Sequence, residues 1–121
     1  MQMKTQLKDL YWVGSSKKEL GTLPDEVVDM FGYALHLAQS GLKHDHAKPL
    51  KGFGGVLEVV EDFKRDTYRA VYTVKFKDAV YVLHCFQKKS KQGIKTPKPN
   101  LDMIRERLKA AKAHAEGENN G

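Results

Sequence analysis

Residues 67–76, Thr67-Tyr68-Arg69-Ala70-Val71-Tyr72-Thr73-Val74-Lys75-Phe76, decide the fold class. Tyr68, Ala70, Tyr72, Val74 and Phe76 recur at every second position and share one side of an extended strand. Thr67, Arg69, Val71, Thr73 and Lys75 share the other. The first set is the core-facing side, which puts Arg69 on the opposite, more accessible face. Two more strand-like runs flank this one. Val56–Glu61 precedes it across the turn-like Asp62-Phe63-Lys64-Arg65-Asp66, and Ala79–Phe86 follows through a tight turn at Lys77-Asp78. Short links between successive strands predict a small antiparallel meander.

Upstream of the meander the periodicity changes. Leu7–Val13 reads as a short strand ending at Gly14, after which Ser15 and Ser16 can cap a helical turn over Lys17–Leu20. Pro24-Asp25-Glu26 opens a longer helix, with proline suited to its start and acids to the positive end of its dipole. Val27, Phe31, Ala34, Leu35 and Ala38 form one apolar stripe, and Ser40-Gly41 ends the helix. Residues 41–54 read as a polar, glycine-rich connection. Downstream, Pro97 and Pro99 forbid regular structure until a helix capped by Asn100 and striped by Leu101, Ile104, Leu108 and Ala111. Residues 116–121 read as a frayed polar tail. The order β–α–α–β–β–β–α is that of an α+β fold, with residues 1–121 as a single domain.

A chain of 121 residues that is 40% hydrophobic and 30% charged suits one soluble domain with one core. No apolar run is long enough for a membrane span, and the first ten residues lack the apolar middle of a signal peptide, so a cytoplasmic location is expected. The lone Cys85 excludes an intramolecular disulfide framework and a zinc site built from cysteines. The formal net charge of +6 is unevenly placed. Residues 1–60 hold 7 Lys/Arg against 7 Asp/Glu, whereas residues 61–121 hold 14 against 8. Lys88, Lys89, Lys91, Lys95 and Lys98 follow one another with no acid between Ala79 and Leu101. Such a run is either a solvated loop or an attractant for a polyanion.

Among the chemistry-bearing residues, His44-Asp45-His46 lacks the three or four converging ligands that zinc requires and reads as a solvated loop. Gly52-Phe53-Gly54-Gly55 lacks the Lys-Ser/Thr of a phosphate loop. Cys85 and His84 adjoin on a strand and point to opposite faces, which disfavours a nucleophile pair and predicts a buried structural cysteine. Pairing of the last two strands brings Arg69 close to Phe86–Lys89. An arginine, a histidine and two lysines there supply donors for a phosphodiester and a proton carrier near neutral pH. Equally, Arg69 can form an ion pair with Glu58 or Glu61 across the sheet.

Several segments in order make the chain similar to a known group. They are Trp12-Val13-Gly14-Ser15-Ser16-Lys17-Lys18-Glu19-Leu20, Ala47-Lys48-Pro49-Leu50-Lys51-Gly52-Phe53-Gly54-Gly55, Thr67-Tyr68-Arg69-Ala70-Val71-Tyr72 and His84-Cys85-Phe86-Gln87-Lys88-Lys89-Ser90, then Lys95-Thr96-Pro97. This set resembles the phage-derived, HigB-like branch of the RelE/ParE toxin superfamily. The resemblance implies an N-terminal strand, two helices, a curved antiparallel sheet and a C-terminal helix. It also implies a toxin of a type II toxin–antitoxin module: a messenger-RNA endoribonuclease that acts on the ribosome without metal or cofactor, silenced by a helix-turn-helix antitoxin. Its catalytic arginine falls on Arg69, its basic residues after the last strand on Lys88 and Lys89, and His84 is the candidate for proton transfer. Lys48 and Lys51, with Lys91 and Lys95 of the basic run, are the expected RNA contacts. Glu58 stands where relatives often carry a basic residue, and can serve as a base or as the partner of Arg69. The ParE branch offers a non-enzymatic alternative that binds gyrase, and an inactive RNA-binding phage remnant is a third.

Overall fold

The computed structural model describes residues 6–76, 78–88 and 96–120, the last three by backbone alone. A strand, β1 (Asp9–Trp12), leads into helices α1 (Ser16–Gly21) and α2 (Asp25–Gln39). Strands β2 (Ala47–Pro49), β3 (Val56–Phe63), β4 (Asp66–Thr73) and β5 (Ala79–Lys88) follow, and helix α3 (Lys98–Asn120) closes the chain. The sheet order is β1-β5-β4-β3-β2. Strands β2 to β5 run antiparallel as a meander, while β1 returns parallel to β5 and covers only its first four residues. The α+β expectation is therefore met, with one added strand. β2 lies inside the stretch read as connection, because three residues with a proline carry too little pattern to be seen.

Helix α2 buries its predicted stripe: Val27, Phe31, Ala34, Leu35 and Ala38 all lie in the core, against Val59, Ala70, Tyr72, Val80 and Val82 of the sheet. Its end is held by two paired bonds, Gly41 N–H to Ala38 O and Leu42 N–H to Leu37 O, a closure that needs Gly41 at φ +82°. The opposite face of the sheet is also covered. Ile104 and Ala111 of α3, with Leu101 and Leu108, pack on Val71, Tyr81, Leu83 and Phe86. Burying a side chain the size of Ile104 completely stabilises a fold by about 1.5–3 kcal/mol.

That second layer corrects the reading of β4. The alternation is right, but both of its faces are inside: Val71 and Thr73 are fully buried, and Arg69 is 3% exposed. β4 is the middle of five strands, so a helix on each side leaves it no solvent face. Val74 and Phe76 fall beyond the end of the strand. A shift of register between Val71 and Tyr72 lets Leu83 and His84 both face α3.

Several boundaries and one cap differ from expectation. α3 begins at Lys98, so Asn100 lies inside its first turn and uses its side chain elsewhere. The helix continues to Asn120 and takes in residues expected to fray. The hydroxyls of Ser15 and Ser16 do not cap α1; they bond Glu19 and the Val82 carbonyl. β5 extends two residues past Phe86, which brings Lys88 into the sheet.

The β3–β4 turn is the tightest possible. Lys64 and Arg65 alone connect the strands, both at positive φ, +50° and +74°. This two-residue turn suits Asn-Gly, and each residue with a Cβ held there costs on the order of 1–2 kcal/mol.

Candidate functional site

The face of the sheet that α3 covers carries a row with three polar side chains and one valine. Lys48 pairs with Glu58, Glu58 with Val71, and Val71 with His84, so β2, β3, β4 and β5 each place one residue in line. The next row holds Arg69 opposite Phe86, and the row after it holds Lys88 opposite Thr67. The predicted proximity of Arg69 to the end of β5 is thus present in the register.

Arg69 is not displayed on an open surface. Its Nη1 donates to Glu58 Oε2 at 2.9 Å and to Thr96 Oγ1 at 2.9 Å. Glu58 is the carboxylate that the across-sheet ion-pair reading named. The side chains of Arg69 and Glu58 are both nearly sealed. Two charges withdrawn from water this far are held by each other and by Thr96. The pair forms one wall of a pocket of about 400 Å³, with Lys48, Lys51, Leu50 and Leu101 on the others. Three cations against one carboxylate leave this pocket net positive. Lys48 and Lys51, both exposed at its mouth, are where the sequence placed RNA contacts. Lys88 stands beside it: burial and then the Arg69 charge lower its pKa, with Lys48 adding to the effect and Glu58 opposing it. Lys89, Lys91 and Lys95 lie outside the described residues.

His84 belongs to a different assembly. It is 5% exposed and its Nδ1 lies 2.8 Å from Glu19 Oε1. Its Nε2 lies 2.9 Å from Asn100 Nδ2. Burial lowers its pKa, with help from the Arg107 charge and against the pull of Glu19. The neutral ring therefore donates from Nδ1 to the carboxylate and accepts at Nε2 from the amide. Both nitrogens are engaged within the protein. The expected role in proton transfer does not fit this geometry, and His84 instead ties β5 to the first turn of α3.

Glu19 is the centre of that tie. Arg107 donates Nη1 to Oε1 at 2.9 Å and Nη2 to Oε2 at 2.8 Å, and Cys85 N–H donates to Oε1 at 3.2 Å. Burial pushes the Glu19 pKa up, but these donors and His84 outweigh it and hold it at about 2. Arg107 also donates to the Leu83 carbonyl at 2.8 Å. Side chains thus occupy backbone groups of β5 where β1 has ended. The guanidinium packs so closely on Gly14 that a Cβ there would lie 2.8 Å from Arg107 Nε. Cys85, in the same strand, is buried, and its thiol is pushed up to about 12. That inert state is what the strand position predicted. A groove of about 1100 Å³ opens beside this assembly between α1, β5 and the start of α3, with Lys18, Tyr68 and Gln87 also in its lining.

Sequence reasoning did not single out Glu19 or Arg107. Arg107 carries a legible signal, since Asn100, Ile104, Arg107 and Ala111 make one helical stripe and a charge on a buried stripe needs a partner. In the loop at residues 44–46, His44 Nδ1 accepts from the His46 N–H and His46 is exposed, 3.3 Å from Glu61. Among the described residues, no group of three His, Cys, Asp or Glu side chains could hold a metal ion, and no helix is long and apolar enough to cross a membrane.

The sheet and the helices that cover it have counterparts in known proteins. A family model, the phage-derived Gp49-like proteins, matches residues 18–109. The chain belongs to that family. Among solved structures, the free toxin RelE of Escherichia coli, in a double arginine-to-alanine form, shares the fold. It superposes with a TM-score of 0.58 over 86% of this chain and 97% of that one, at 17% identity. The RelBE2 toxin–antitoxin complex of Mycobacterium tuberculosis matches with a TM-score of 0.49 and 18% identity, over 74% of this chain and all of that one. No curated protein matches. The Gp49-like chain thus has the RelE fold that its sequence resemblance implied.

Proposed function

We propose that this Gp49-like protein is the toxin of a toxin–antitoxin module and cuts messenger RNA on the ribosome, with the Arg69 pocket as its active site. One observation carries the reading: Arg69 is held at the wall of a net-positive pocket with Lys48 and Lys51, beside Lys88, on the RelE fold. A phosphodiester entering this pocket meets the planar donor fork of Arg69 and the ammonium of Lys48. The ribose 2′-hydroxyl gives its proton to Glu58, the carboxylate in the pocket, and its oxygen attacks phosphorus. The bond to the 5′-oxygen breaks, and that oxygen takes a proton from Lys88, whose lowered pKa makes it the readier acid. Cyclic phosphate and a 5′-hydroxyl result. Lys48 and Lys51 draw the strand in, and an antitoxin restrains the toxin by covering the same basic end.

A second reading, a toxin that acts by binding alone as in the ParE branch, is favoured by the bond between Arg69 and Glu58. A phosphate must compete with that carboxylate for the same guanidinium. Induced expression separates the two readings. Growth arrest accompanied by new 5′ ends in transcripts is expected, and those ends should disappear when Arg69→Gln is combined with Glu58→Gln, a pair that removes both buried charges together. Arrest without new ends would establish the binding toxin in place of the nuclease.

A further inference from the structure

The turn between β3 and β4 spends its two positions on long cations. Lys64 and Arg65 hold left-handed backbone where Asn-Gly would sit without strain. Both are exposed. Among the described residues Arg65 makes no hydrogen bond or ion pair, and Lys64 only lies over the Phe63 ring, 5.2 Å from its centre. Of the nearby carboxylates, Asp62 accepts from the Thr67 hydroxyl at 2.8 Å. The tip is at the Lys88 end of the sheet, since Thr67 pairs with Lys88 and Arg69 with Phe86. From Arg69 to Arg65 is four residues of strand and turn, at most about 13 Å. Cations therefore continue beyond the Arg69 pocket along the hairpin, and among the described residues the outermost two form no ion pair with the Asp62 and Asp66 that flank them.

We infer that Lys64 and Arg65 are a second phosphate contact, gripping the backbone of a single-stranded RNA whose scissile linkage lies at Arg69; the inference rests on the RNA-cleaving reading. A lone cation pair could serve any anion, but one in line with Lys88 and Arg69 matches a partner whose negative charges repeat along a chain. Strain kept at an exposed turn, where a better turn sequence is available, is expected of a segment that contacts a ligand.

The test uses the full chain and a ten-nucleotide single-stranded RNA, with affinity measured across a salt series. Lys64→Asn with Arg65→Gly removes both charges and supplies the preferred turn, so the melting temperature should rise while affinity at low salt falls about tenfold. The slope of log affinity against log salt should become shallower by about 1.4, or ~0.7 for each phosphate that is no longer neutralised. Lys64→Gln with Arg65→Gln, which keeps the side-chain bulk, should weaken binding to the same extent. Unchanged affinity and slope in either variant overturns the contact, as does failure of the unaltered chain to bind the oligonucleotide. The cleavage reading is decided separately by the Arg69/Glu58 variant: if that variant still cuts RNA while the hairpin variants bind weakly, the active-site assignment falls and the hairpin contact stands.

Discussion

Arg69 Nη1 and Glu58 Oε2 meet at 2.9 Å with side chains only 4% and 6% exposed. Both charges are largely withdrawn from water, so each depends on the other. Replacing one strands the other in a low-dielectric interior, which costs about 3–5 kcal/mol, whereas replacing both by neutral groups of similar size is close to neutral. Arg69→Ala should therefore lower the melting temperature by roughly 10–20 °C, and Glu58→Leu with Arg69→Met should recover most of that loss. Thermal denaturation followed by circular dichroism checks it. A single Arg69→Ala variant that melts with the parent would show that the pair is solvated in solution.

How far the sequence reveals this site depends on what covers each strand. The alternation through Tyr68, Ala70 and Tyr72 is plain, and the α2 stripe from Val27 to Ala38 is plainer still, because both patterns are local. The burial of Arg69 is not local. It follows from α3 crossing the second face some thirty residues later, and nothing in Thr67–Phe76 encodes that return. β2 is hidden by its length, and Asn100 looks like a cap because its partner, His84, lies on another element. Pairing of the last two strands, read from the alternation and the short turn, places Arg69 beside the end of β5 correctly, whereas the environment that binds Arg69 to Glu58, and His84 to Glu19, exists only in three dimensions.

Glu19 and His84 set the response to acid. The Glu19 pKa is about 2 against an ordinary 4.5, so the folded state favours the carboxylate and gains about 3 kcal/mol above pH 4.5. That contribution is lost as pH falls from about 4.5 through 2. The His84 pKa lies below 6.5, so folding favours its neutral form, and this contribution is also lost on acidification, starting below pH 6.5. Both effects have the same sign. Melting temperature should decline gently below pH 6.5 and steeply below 4.5, and Glu19→Gln should start lower and show a flatter acid limb. An acid limb of unchanged steepness in that variant would remove Glu19 as its cause.

Tyr72 offers a test of an opposite kind. Its ring is fully buried between the sheet and α2, and its hydroxyl has no hydrogen-bond partner among the described residues. Burial alone raises its pKa. An unsatisfied buried hydroxyl costs about 1–3 kcal/mol relative to one that is bonded. Deleting the oxygen removes the penalty and leaves the ring contacts in place, so Tyr72→Phe should leave stability unchanged or raise it by about 1 kcal/mol. A clear drop in denaturation midpoint would mean that the hydroxyl has a partner in solution.

Lys88 and Lys48 separate chemistry from attraction. In the proposed reaction Lys88 gives a proton to the leaving 5′-oxygen, and its lowered pKa serves that step. Lys88→Arg keeps the positive charge but holds its proton too tightly to donate it. RNA binding should survive while kcat falls by about 10²–10⁴, the usual contribution of a general acid. Lys48→Gln acts on the encounter instead: it removes one cation from the mouth of the pocket, raising KM and weakening the salt dependence by about one phosphate contact, with little change in kcat. Steady-state cleavage of a defined transcript by the two variants tells these effects apart. If Lys88→Arg cleaves at the parental rate, the leaving group takes its proton from elsewhere, and Lys88 is reduced to the same attracting role as Lys48.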